Sequence, residues 1–140
     1  QAQDALYQFG IAVGLAFQIQ DDILDVWGDP QTFGKAVGGD ISCNKKTFVY
    51  LTAKQRSTTL NHSTQLSTTL NHWYSQVLED NTEKIAAVKA IFEQLGVREV
   101  CEAVVAQYTQ SALEILDTLP QNVATDQLRQ LANKLHTRKD

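Results

Sequence analysis

Apolar residues recur at Leu6, Phe9, Val13, Phe17 or Ala16, Ile19, Ile23 and Val26, and no proline falls between Ala2 and Trp27. Steps of three and four place these residues along one stripe of an α-helix, and they never alternate long enough to suggest a strand. Gly28-Asp29-Pro30 ends that helix, because proline biases the preceding residue away from the helical region. Residues 28–44 hold four of the seven glycines, Gly28, Gly34, Gly38 and Gly39, and read as a loop whose backbone turns closely around something. A second helix is expected from near Ser42 through Lys54 or beyond. Asn81-Thr82-Glu83 is a start signal for the stripe Ile85, Val88, Phe92 and Leu95, which stops at Gly96. Val97, Val100, Val104, Tyr108, Ala112, Ile115 and Leu119 form the next stripe, up to Pro120. Leu128, Leu131 and Leu135 form a last, short one. The expected fold class is all-α.

Ser57-Thr58-Thr59-Leu60-Asn61-His62 recurs ten residues later as Ser67-Thr68-Thr69-Leu70-Asn71-His72. One duplication falls far short of a solenoid array, so it is expected on a surface helix or helix–loop segment with little functional content. On an ideal helix His62 and His72 lie about 80° apart, which argues against a shared metal.

At 140 residues the chain has room for one domain with a real core, and its 43% hydrophobic and 20% charged residues exclude a disordered or disulfide-scaffold protein. A net charge of -4 argues against a general nucleic-acid or membrane-surface binder. Cys43 and Cys101 show neither CxxC nor Cys/His spacing and are expected to be reduced thiols. The apolar run Phe9–Phe17 is too short to span a bilayer, and no basic segment precedes it. A cytoplasmic location is therefore expected. The chain has no methionine and starts Gln1-Ala2-Gln3, so a processed, trimmed or partial chain is also expected.

The candidate chemistry lies at the end of the first helix. Gln18, Asp21, Asp22 and Asp25 fall within an arc of about 100°. Three carboxylates near a helix carboxyl end oppose its dipole and repel one another. Residues 1–34 contain no Lys or Arg to relieve them. An external hard cation would, and all-oxygen ligands suit magnesium or calcium rather than zinc or copper. Magnesium usually completes its shell with substrate phosphates. The next segment, Gly34-Lys35-x-x-Gly38-Gly39-Asp40, offers glycines for close backbone approach and a lysine for charge. Lys45 and Lys46 follow, and no acidic residue occurs from Ile41 to Leu78. The order of a GxxxxGK[ST] phosphate loop is absent.

Phe17-Gln18-Ile19-Gln20-Asp21-Asp22-Ile23-Leu24-Asp25, then Gly34-Lys35-x-x-Gly38-Gly39-Asp40 and Lys45-x-Thr47, resembles the second aspartate-rich region of the trans-isoprenyl diphosphate synthases, the farnesyl, geranyl and geranylgeranyl diphosphate synthase group. A weaker resemblance continues through Phe92-x-x-Leu95-Gly96-Val97 and the closing Leu131-Ala132 helix. It implies the C-terminal helices of the isoprenoid synthase helical-bundle fold, built around a deep cavity. It also implies a magnesium-dependent prenyltransferase that joins an allylic diphosphate to isopentenyl diphosphate. By the same resemblance Asp21, Asp22 and Asp25 are the metal residues. Lys35 and Lys45 bind the allylic diphosphate, Phe17 and Gln18 line the reacting end, and Gln18 stabilises developing positive charge. Arg138 and Lys139 resemble a basic tail over the second substrate's diphosphate, and a homodimer is implied.

One departure qualifies this reading. Asp21-Asp22-x-x-Asp25 is the only such cluster, whereas the family carries an earlier aspartate-rich helix and upstream basic residues for isopentenyl diphosphate. The chain therefore resembles the C-terminal half of such an enzyme, part of a single domain with little activity alone and with the N-terminal half as its missing partner. A non-catalytic subunit of a heteromeric synthase and a class I terpene cyclase are the alternative readings.

Overall fold

The computed structural model describes residues 2–29, 37–59 and 64–136. Among them every regular element is a helix: α1 Ala2–Trp27, α2 Gly39–Ser42, α3 Phe48–Thr59, α4 Thr64–Tyr74, α5 Thr82–Gln94, α6 Val97–Asp117 and α7 Val123–His136. The all-α expectation holds. No described helix is long and apolar enough to cross a membrane.

The chain divides into two compact units, and α1 and α6 each contribute a segment to both. The first unit takes α1 up to Asp21, α6 from Glu102, and α7. Its core is a cluster of Phe9, Ala12, Ala112, Leu116 and Ala132, with Val13, Leu113 and Leu128 packed against it. Three alanines let helix backbones approach closely while Phe9 and Leu116 fill the remaining space. A reciprocal cap starts α7: Asn122 Oδ1 accepts the Thr125 N–H at 3.0 Å, and the Asn122 N–H donates to Thr125 Oγ1 at 2.9 Å.

The second unit takes α1 from Asp22, the whole of α2 to α5, and α6 up to Cys101. Here α3, α4 and α5 pack on one another, and α2 packs on α5. Ile23, Ile41, Val49, Ala53, Leu70, Val88 and Phe92 are all buried. Trp27 meets Phe92 at a ring separation of 6.3 Å, and the Arg98 guanidinium lies 5.7 Å from the Trp27 ring. Gly96, at φ 66°, turns the chain from α5 into α6, and Arg56 Nε donates to the Leu95 carbonyl at that turn.

Three expectations change in detail, and one alternative, Phe17 or Ala16, is resolved. The helix expected from Ser42 is interrupted. A single turn ends at Ser42, Asn44 adopts φ 60°, and α3 starts at Phe48, where Thr47 Oγ1 accepts the Tyr50 N–H at 3.1 Å. The buried row of α6 runs Val97, Cys101, Val105, Thr109, Ala112 and Leu116, while Val100, Val104 and Tyr108 are only half-buried. An apolar face two residues wide admits either row, and packing selects one. On α1 it is Ala16 that is buried, with Phe17 40% exposed. The duplicated segment is not wholly superficial: Leu70 is fully buried and Ser57 nearly so. His62 lies outside the described residues.

Candidate functional site

The aspartates of α1 differ sharply in environment. Asp21 and Asp22 are half-buried, whereas Asp25 is only 2% exposed. In the second unit, Asp22 Oδ2 accepts the backbone N–H of Phe48, the first residue of α3, at 3.2 Å. Asp25 Oδ2 accepts the backbone N–H of Asp40 at 2.8 Å, within the turn of α2. Hydrogen bonds to a charged acceptor contribute about 1.5–3 kcal/mol each. The repulsion among these carboxylates, for which residues 1–34 supply no lysine or arginine, is thus met in part by main-chain N–H groups of other helices. This solution was invisible in the local sequence.

The Gly-Gly-Asp triplet serves that arrangement. The Gly38 N–H donates to the Asp25 carbonyl at 2.5 Å, and Gly38 has φ +92°, a left-handed conformation that glycine adopts without cost. A β-carbon there would lie 2.9 Å from Ile85 Cδ1 and Cγ2. Gly39 brings the turn against the carboxylate, with its β-carbon position 3.6 Å from Asp25 Oδ1. These two glycines were expected to let a backbone approach phosphate. The structure shows them seating α2 against the aspartate helix.

Asp40 passes the arrangement on to Lys45. The Lys45 N–H donates to the Asp40 carbonyl at 2.9 Å, and Lys45 Nζ lies 4.0 Å from Asp40 Oδ1. The Lys45 side chain is 62% exposed, so this ion pair is worth at most about 1 kcal/mol and leaves the ammonium reachable from solvent. Tyr74 stacks on Tyr50 with ring centroids 4.2 Å apart. Burial first, then Tyr50, Asp40 and the other nearby acidic groups push the Tyr74 phenol above its ordinary range, so it stays neutral. Phe17 and Gln18 are exposed on α1, one turn before Asp21 and Asp22. Lys35, Arg138 and Lys139 lie outside the described residues.

Among the described residues no three His, Cys, Asp or Glu side chains stand close enough to hold a metal ion by themselves. The donor chemistry nonetheless fits a hard cation shared with a diphosphate, because magnesium needs only one or two carboxylates when phosphate and water complete its shell. It does not fit a self-contained protein cage.

Sequence reasoning missed Lys84 and Asn44, and quoted Thr47 only as part of the Lys45-x-Thr47 motif, without its capping role. Thr47 had a signal, a capping residue just before an apolar helix, and Asn44 had the tolerance of asparagine for left-handed backbone. Nothing marked Lys84, since a lysine in the first turn of a helix ordinarily faces water.

The polyprenyl synthetase family model matches residues 1–95. A short chain isoprenyl diphosphate synthase of Methanothermobacter thermautotrophicus is 34% identical over 92% of this chain and 37% of its own length. The heptaprenyl diphosphate synthase component 2 of Bacillus subtilis is 34% identical over 96% of this chain and 36% of its own. Among solved structures, the geranylgeranyl pyrophosphate synthase of Corynebacterium glutamicum complexed with isoprenyl diphosphate and magnesium matches with a TM-score of 0.84. That match has 33% identity and covers 96% of this chain and 37% of that one. The chain thus spans little more than a third of the length of these relatives. With the aspartate-rich turn, the Gly-Gly-Asp brace and Lys45 in place on an all-helical frame of this likeness, the chain belongs to the polyprenyl synthetase family.

Proposed function

We propose that this chain carries the second aspartate-rich, diphosphate-binding part of a prenyltransferase that condenses an allylic diphosphate with isopentenyl diphosphate into a longer trans-isoprenyl diphosphate. The observation that carries the reading is the brace from Asp25 through Asp40 to Lys45, which ties the main chain of Lys45, whose ammonium is exposed, to the aspartate-rich turn by backbone-donated hydrogen bonds of 2.8 and 2.9 Å. Asp21, with Asp22 and Asp25, would hold magnesium together with the substrate's diphosphate. When bound, the ion supplies positive charge that stabilises the departing diphosphate. Lys45, with Lys35, binds diphosphate oxygens and stabilises the same developing charge. Phe17 offers an apolar wall to an allylic cation, and the Gln18 amide oxygen offers a dipole to its positive charge.

The exposure of Leu6 and Phe17 along one side of α1 and of Ile11 and Leu15 along another, each 40–46%, supports further protein covering α1 in the complete enzyme, including the N-terminal half with its own aspartate-rich helix. This chain alone is then expected to give no robust product from allylic substrate, isopentenyl diphosphate and magnesium. It should nevertheless bind magnesium with inorganic diphosphate, read as a rise in melting temperature that Lys45→Ala reduces. Robust turnover by the chain alone would overturn the division of labour. Absence of any magnesium–diphosphate binding would overturn the site. The relation to a component of a two-component synthase favours a second reading, a subunit of a heteromeric enzyme. In a non-catalytic subunit magnesium and diphosphate together would leave the melting temperature unchanged.

A further inference from the structure

Lys84, in the first turn of α5, is fully buried, although lysine is among the residues least often found inside a protein. Its Nζ donates to Asn44 Oδ1 and to the Gln76 carbonyl, the latter at 2.8 Å. Asn44 Nδ2 donates to the same carbonyl at 2.9 Å. Three segments are thereby tied in a closed ring: the loop after α2, the turn after α4, and the start of α5. Both acceptors of the ammonium are neutral amide oxygens. Burying a charge against neutral partners is costly compared with an apolar side chain of the same length. Consistent with that cost, burial lowers the pKa of Lys84 from the ordinary lysine value.

The residue that this ammonium grips is the single non-glycine position with positive φ among the described residues, Asn44 at φ 60°. Left-handed backbone costs an ordinary L-residue about 1–2 kcal/mol, somewhat less for asparagine. It persists where its surroundings over-determine it. Immediately after this kink comes Lys45, whose N–H turns back to the Asp40 carbonyl. An extended or helical Asn44 would carry Lys45 away from Asp40 and from the Asp25 brace.

We propose that Lys84 is a positioning residue for diphosphate binding: by clamping Asn44 in its left-handed conformation against the Gln76 carbonyl, it holds Lys45 beside the aspartate-rich turn. This rests on the diphosphate-binding reading above. Lys84 itself touches no substrate and acts through Lys45.

The test is titration calorimetry of the full chain with magnesium and inorganic diphosphate, comparing wild type, Lys84→Met, Lys45→Ala and the double variant. Lys84→Met is expected to weaken binding by about five- to tenfold, a coupling usual within one hydrogen-bond network. In the Lys45→Ala background the same change should weaken it no further, which a merely structural role for Lys84 would not produce. Where Lys84→Met does not fold, Asn44→Ala reads the clamp from the other side and should show the same loss and the same non-additivity. Unchanged affinity in the folded variant, or losses that simply add to that of Lys45→Ala, would overturn the clamp while leaving the diphosphate site standing. A wild-type chain that binds no magnesium–diphosphate would overturn both.

Discussion

Gly38→Ala isolates the geometry on which the aspartate-rich turn depends. The substitution forces alanine into φ +92°, at a conformational cost of about 1–2 kcal/mol. It also drives a β-carbon to 2.9 Å from Ile85 Cδ1 and Cγ2 and 3.1 Å from Cγ1, inside the usual carbon–carbon separation of about 3.5–4.0 Å. Overpacking of this kind costs about 1–3 kcal/mol, and because Ile85 is only half-buried the lower part of that range applies. Together the loss is about 2–4 kcal/mol, a large share of the roughly 5–15 kcal/mol typical of a folded domain. The two contributions separate in an Ile85→Ala background, which removes all three clashing atoms, so the same glycine substitution should then cost only its conformational part. Urea denaturation followed by far-UV circular dichroism on the four chains gives the comparison. The reasoning is refuted if Gly38→Ala costs less than about 0.5 kcal/mol, the scale of an ordinary surface substitution. It is equally refuted if the cost is the same, within about 0.5 kcal/mol, with and without the Ile85 side chain.

Two further outcomes follow from contacts already described or close to them. Asp22→Ala removes the acceptor at the first N–H of α3 and is expected to cost about 1 kcal/mol in metal-free buffer, with Asp22→Asn recovering much of it; equal urea midpoints for Asp22→Ala and wild type would sink the capping role. Ahead of α5, the Thr82 hydroxyl and then the Thr82 N–H donate to Asp80 Oδ1, at 2.7 and 3.0 Å, and hold its carboxyl below the usual aspartate value. A depressed folded-state pKa stabilises the fold above the unfolded value and loses that effect as pH falls through the folded one. The stability difference between wild type and Asp80→Ala should accordingly be present at neutral pH and close on acidification below the ordinary aspartate range, as thermal melts across that range would register; a difference independent of pH would contradict it.

The helical class and the extents of α1, α5 and α6 were legible because apolar residues repeat at three and four along those segments, a property of the backbone's own period. The row that faces inward was not, as α6 illustrates: Val100, Val104 and Tyr108 look as apolar as the chosen Cys101, Val105 and Leu116. The break at Asn44 was missed because asparagine's tolerance of left-handed backbone is a weak local mark, and the lysine that holds it there lies forty positions away.

For the site, the sequence by itself determined the aspartate-rich turn, its nearness in the chain to lysines, and the family likeness carried by those residues. These are matters of order and spacing, which side-chain chemistry makes legible. Only the tertiary structure decided what each residue does within the fold. Asp25 is a buried brace, Gly38 and Gly39 seat α2, Lys45 stays exposed, and Lys84 is buried. The physical reason is that carboxylates and ammonium groups are satisfied by main-chain and amide groups from remote segments, as with Asp22 at the start of α3 and Lys84 at Asn44. Such partners become neighbours only when the chain has folded.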